Sequence, residues 1–167
     1  VLFGGEASTG NPYGYGVRGD TWLWNGTGWQ VMSGGPPARS FTAMTLDTAR
    51  QRVVLSGGMV GIGPFTYLTD TWEWNGTTWT QVANMPRGLA RHAMAYDAAR
   101  GRTVVFGGYD ATAIRNDTSE WDGLAWLPLT PTSAPPAGLG AMAYDPDRNL
   151  TTLVVHSTFG RQAWNWN

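Results

Sequence analysis

Cysteine is missing from all 167 residues, which removes disulfide frameworks, thiolate metal sites and thiol nucleophiles. Lysine is missing too, so the 11 cations are all arginine, set against 12 acids. The resulting charge of -1 leaves no basic excess to hold a phosphate backbone, and nucleic acid is not an expected partner. No apolar run approaches the ~18 residues that a spanning helix requires, and the opening Val1-Leu-Phe-Gly-Gly5 has neither the charged start nor the cleavage site of a signal peptide. A membrane partner is not expected either. Helical periodicity of useful length is also lacking, so helices are expected to be single turns at most. What the chain does have is ten Trp, 23 Gly and 42% apolar residues, enough for a globular core.

Three signals rotate along the chain. The first is Asp20-Thr-Trp-Leu-Trp-Asn-Gly-Thr-Gly-Trp29, repeated as Asp70-Thr-Trp-Glu-Trp-Asn-Gly-Thr-Thr-Trp79 and, weakened, as Asp117-Thr-Ser-Glu-Trp-Asp-Gly-Leu-Ala-Trp126. A fourth copy opens at Ala163-Trp-Asn-Trp-Asn167. Alternating Trp and polar residues around Asn-Gly predict a hairpin with a two-residue type I′ turn. The second signal is an apolar run ending in a glycine pair: Val1 to Gly5, Val53 to Gly58, Thr103 to Gly108, and a degraded Leu153 to Thr158. The third is Thr42-Ala-Met-Thr-Leu-Asp47, His92-Ala-Met-Ala-Tyr-Asp97 and Gly140-Ala-Met-Ala-Tyr-Asp145, in which Met and Tyr or Leu face one way and Ala the other. Named a (the Ala-Met run), b (the run before the glycines), c and d (the hairpin), the strands give b-c-d, two full a-b-c-d units and a-b-c. The expected fold is all-β, with four-stranded antiparallel units near 1–40, 41–90, 91–138 and 139–167, recurring about every 50 residues as propeller-forming repeats do.

The glycine pair, variable loop and spaced aromatics (Trp22 and Trp29, Trp72 and Trp79) resemble the kelch repeat, and the resemblance covers the whole chain. Ser119 replaces the first aromatic of the third copy, and the fourth has lost its glycine pair. Such repeats resemble the central domain of galactose oxidase and those of secreted or cell-surface bacterial proteins. The resemblance implies a β-propeller of which this chain holds about three and a half blades, in an extracellular setting. Because the first residues match a repeat interior and the last a hairpin middle, a longer propeller chain or further subunits are expected to complete the ring, with open assembly as the alternative.

The repeats supply an internal control, since a residue that the fold requires recurs at one phase. Asp47, Asp97 and Asp145 recur with Arg50, Arg100 and Arg148 three residues on, which reads as local pairing at the a-to-b turn. Asp20, Asp70 and Asp117, and Glu73 with Glu120, are periodic as well. Only Glu6, Asp110 and Asp147 stand apart, so no catalytic carboxylate pair is evident. His92 and His156 lack a second ligand at a recognisable spacing, and no metal or cofactor is expected. The radical copper cofactor of galactose oxidase needs a cysteine that this chain lacks.

In an antiparallel meander the b-c and d-a connections share one face, and here they are the variable segments. They carry Tyr13, Tyr15, Phe65, Tyr67 and Tyr109 with Arg18, Arg39, Arg87, Arg91 and Arg115. Aromatic rings beside Arg forks suit interfaces, carboxylates and sugar-like ligands, and packing of long loops explains them equally well. The expected function is a non-enzymatic module presenting these loops to a protein, a peptide or an acidic glycan. One alternative is a carbohydrate-active enzyme of sialidase or sugar-epimerase type; another is a purely structural repeat in a larger assembly or filament. Four Asn-x-Thr sequons, at Asn25, Asn75, Asn116 and Asn149, are present, the first two accounted for by the turn itself.

Overall fold

The computed structural model describes residues 1–8, 15–61 and 64–166, and the chain is all-β and antiparallel over them. A first sheet joins β1 (Leu2–Ser8), β2 (Tyr15–Trp24) and β3 (Trp29–Met32). A second joins β4 (Ala43–Asp47), β5 (Arg52–Ser56), β8 (Asp70–Trp74) and β9 (Trp79–Asn84), with a two-stranded ribbon of β6 (Met59–Val60) and β7 (Thr66–Tyr67) inserted after β5. The third joins β10 (Ala93–Asp97), β11 (Arg102–Phe106), β12 (Thr118–Trp121) and β13 (Trp126–Leu129), and the fourth β14 (Leu139–Asp145), β15 (Leu150–Ser157) and β16 (Gly160–Trp166). Every sheet follows chain order, so each is a simple meander. The expected order b-c-d, a-b-c-d, a-b-c-d, a-b-c is the strand order observed, and among the described residues no sheet closes on itself. Among the described residues no helix is long and apolar enough to cross a membrane.

The sheets stack face to face, with the first strands β4, β10 and β14 side by side. Period-two alternation then sends neighbouring residues into different cores. Val105 of β11 and Met94 of β10 enter a core with Val54, Met85, Leu89, Trp121 and Trp126, whereas Phe106 and Ala93 enter one with Leu153 and Val155. Strands buried on both faces need apolar residues at consecutive positions, which is why the b runs read as unbroken Val-Val-Leu or Val-Val-Phe. β10 is buried along its whole length between its two neighbours.

The glycine pair has a steric reason. Gly57 adopts φ +60°, and a Cβ there would sit 2.5 Å from the Leu89 carbonyl oxygen; at Gly108, with φ +82°, it would sit 2.7 Å from that of Ala90. The first glycine of each of these two pairs lies against backbone entering the next sheet, at Leu89 or Gly138, and the second against backbone entering its own, at Ser40 or Ala90.

The hairpin turn differs from the expected type I′. Ladder pairing ends at Trp24 with Trp29, Trp74 with Trp79 and Trp121 with Trp126. Inside it the N–H groups of Asn25, Asn75 and Asp122 reach the carbonyls of Gly28, Thr78 and Ala125 at 3.2, 3.2 and 3.3 Å around two central residues, of which only the glycine has positive φ where type I′ needs both. Asn25 Oδ1 accepts the backbone N–H groups of Thr27 (3.0 Å) and Gly28 (2.9 Å), and Asp122 Oδ1 accepts those of Leu124 and Ala125 at 2.8 Å. A side-chain acceptor that caps two N–H groups holds this turn, and Asp replaces Asn because only the oxygen is used. The facing indoles close each hairpin at ring-centroid separations of 5.5, 5.5 and 5.6 Å.

His92, which projects from the start of strand a, is buried with its Nε2 3.2 Å from Ser56 Oγ. Burial pushes its pKa down to about 4 from the ordinary 6.5. Because the unfolded chain binds this proton first, stability present above pH 6.5 is lost as pH falls from there through about 4, to the extent of about 3 kcal/mol. Melting temperature against pH should fall over that window in the native chain, and the fall should flatten in His92→Gln; an unchanged slope in the variant would assign the loss to the carboxylates.

Candidate functional site

The ribbon β6–β7, the 85–92 connection and the 107–117 loop converge on one side of the second and third sheets. Backbone bonds fix their bases: Ser40 and Met59 exchange N–H···O bonds at 3.0 and 2.9 Å, and Ala90 and Tyr109 repeat that exchange at 3.0 and 2.9 Å. Tyr67 meets Tyr109 edge to face at 5.8 Å. Between them opens a shallow depression of about 480 Å³, lined among others by Phe65, Tyr67, Arg87, Asp110, Thr112 and Arg115.

Asp110 organises this depression. Its Oδ1 accepts the N–H and hydroxyl of Thr112, both at 2.8 Å, and the N–H of Ala113 at 3.0 Å, which holds the loop in an Asx turn. Its Oδ2 takes Arg115 Nε at 2.7 Å and Arg87 Nη1 at 3.1 Å. Desolvation opposes its ionisation, but the Thr112 N–H and the Arg115 guanidinium outweigh that and hold the carboxyl well below the usual carboxylate range. Two guanidiniums thus share one carboxylate beside an exposed ring, Phe65, which is 48% accessible. Such a surface offers N–H donors and an apolar platform together.

The ten sequence candidates divide. Phe65, Tyr67, Arg87 and Arg115 line the depression, and Tyr109 braces it through Tyr67. Arg91 lies against ring faces, its Cζ 4.0 Å from the Phe41 centroid and 5.9 Å from that of Tyr109. Arg18 is exposed on β2 in the first sheet, outside the depression. Tyr13 lies outside the described residues, and Tyr15 is placed only by its backbone at the start of β2.

Arg39 is fully buried rather than presented on the loop face. It grips Asp70 with two parallel bonds, Nη1 to Oδ1 at 2.6 Å and Nη2 to Oδ2 at 2.7 Å, and reaches the carbonyls of Pro37 and Gly57 at 3.0 Å. Four of its five N–H groups are spent on these inward acceptors. Asp110 and Thr112, in turn, are site residues that the loop composition did not single out. The signal was there, since Asp110 is one of the three acids without a counterpart in the other repeats.

Among the described residues no cluster of three or more His, Cys, Asp or Glu side chains could hold a metal. The chain matches no protein-family model and no curated protein.

Arg39 and Arg87 should respond oppositely to truncation. Arg39→Ala strands the Asp70 carboxylate and should cost about 3 kcal/mol, whereas Arg87→Ala should change stability by no more than about 0.5 kcal/mol. Urea denaturation of the two variants measures both.

Proposed function

We propose that the chain is a non-enzymatic binding module: part of a kelch-like β-propeller whose four sheets are successive blades and whose loop face takes a ligand in the depression around Asp110. The propeller reading is supported by in-order antiparallel meanders stacked face to face, with their a strands adjacent, and by glycine pairs at a common phase. The binding reading is carried by one observation, the convergence of Phe65, Arg87, Asp110 and Arg115 from three separate loops into one open depression. Binding residues gather on loops that a rigid scaffold holds in place.

The ligand class follows from the charge pattern. Asp110 neutralises much of the charge on Arg87 and Arg115, which weakens the pull on a free carboxylate. Charge-balanced N–H donors beside a ring face suit hydroxyl-rich, uncharged groups, so a neutral glycan fits better than the acidic one that loose arginines suggest. The Asp110 carboxylate is held ionised and fully bonded, unlike a general acid, which favours binding over the glycoside-hydrolysing alternative.

On a glycan array, neutral oligosaccharides should be retained by the native chain. The pair Phe65→Ala and Arg87→Ala should weaken that binding at least tenfold with the melting temperature nearly unchanged. Retention of acidic glycans only, or turnover of a bound sugar, would overturn this reading.

A further inference from the structure

A cleft of about 220 Å³ lies where the 85–89 connection meets β11, β12 and β13, and Met85, Leu89, Val105, Asp117, Ser119 and Pro128 are among the residues that line it. The second and third sheets, which this connection joins, each have all four strands. The cleft therefore owes nothing to either end of the chain, and its cause is local. Ser119 stands where Trp22, Trp72 and Trp164 stand in the other copies, and it pairs with Val105 on the ladder as Trp72 pairs with Leu55.

The second sheet shows how the same place is filled when the ring is present. Trp72 donates its indole N–H to Asp70 Oδ2 at 2.6 Å, and Arg39 holds that carboxylate with its fork at 2.6 and 2.7 Å. Leu89 takes the place of Arg39 in the next repeat, because each gives its carbonyl to the second glycine of a pair: Arg39 to the Gly5 N–H at 3.1 Å and Leu89 to the Gly58 N–H at 2.8 Å. Asp117, the counterpart of Asp70, is left with neither indole nor fork. Among the described residues its one ion pair is with Arg87, whose Nε lies 3.7 Å away, and its side chain is 52% exposed. Compared with the second repeat, this seat lacks the ring and the fork, keeps the acceptor, and has buried apolar walls in Met85, Leu89 and Val105.

We propose that the cleft binds an indole ring supplied from outside the chain, in the place that the Trp72 ring takes in the second repeat, with its N–H donated to Asp117. An apolar slot with a carboxylate at its rim selects a flat aromatic donor: burial of the ring supplies affinity, and the bond from N–H to carboxylate orients it. The site does not rest on the glycan reading. It shares with the depression around Asp110 only Arg87, whose Nη1 is bonded to Asp110 at 3.1 Å.

The probe is skatole, which is the tryptophan side chain without its backbone. Calorimetric titration into the full chain should show saturable 1:1 binding. Methylating the ring nitrogen of the probe should weaken binding about tenfold or more, and in Asp117→Ala the two probes should bind alike, both at the weaker level. Ser119→Trp, which places the chain's own ring in the seat, should abolish binding, with the melting curve checking that the variant folds. N-acetyltryptophanamide separates the two sources of the ring: retained affinity assigns a tryptophan carried on a peptide, and lost affinity assigns a free indole. Absence of saturable skatole binding overturns the proposal. So does binding that methylation of the ring nitrogen leaves unchanged, or that survives in folded Ser119→Trp, because the ring would then sit elsewhere.

Discussion

Each sheet is tied to the one before it through indole N–H groups, and the rest of the structure depends on these bonds. Trp79 and Trp126 donate to threonine hydroxyls of the preceding sheet, while Trp121 and Trp166 donate to Glu73 and Glu120, both at 3.0 Å. Indoles bury a large apolar area and still need an acceptor for one N–H. A stack of sheets meets that need only where every sheet places a hydroxyl or carboxylate at a fixed phase. The carboxylates are themselves held: Arg50 bridges Glu73 and Asp47 with contacts of 2.7 Å each, and Arg100 bridges Glu120 and Asp97. Buried acids thus serve as acceptors between sheets because each has an arginine from its own a-to-b turn.

The same logic separates scaffold from site. The buried recurring charges Asp47, Glu73, Asp97 and Glu120 are consumed inside or between sheets, and Asp110, which does not recur, gathers Arg87 and Arg115 on the loop face. The first tryptophan of the first, second and fourth copies shows the scaffold rule locally. Trp22 and Trp72 donate back to Asp20 and Asp70 two residues earlier, and Trp164 does so to Gln162. Side-chain chemistry at one phase can vary while the acceptor geometry persists.

Strand order was legible in the sequence because two-face burial writes itself as apolar runs, and the Asp47–Arg50 type of pairing was legible because it is local and repeated. The type of hairpin turn was not, since Asn-Gly supports more than one type and the choice rests on a side-chain oxygen reaching two N–H groups. Arg39 was misleading for a different reason. It lies in a connection as variable as those that carry Arg87 and Arg115, and its partner Asp70 is 31 residues away. Composition does not tell an arginine spent on a distant buried acid from one facing solvent, and only the fold brings the two together.

Hydrogen exchange of the indole N–H groups, followed by NMR, tests most directly whether these bonds hold the sheets together. The indole protons of Trp121 and Trp126 should exchange slowly and with one common opening free energy, while those of the exposed Trp24 and Trp29 exchange fast. Equally fast exchange at all four, with the backbone amides of β10 and β11 still protected, would contradict the account, because the sheets would then be held by apolar packing alone.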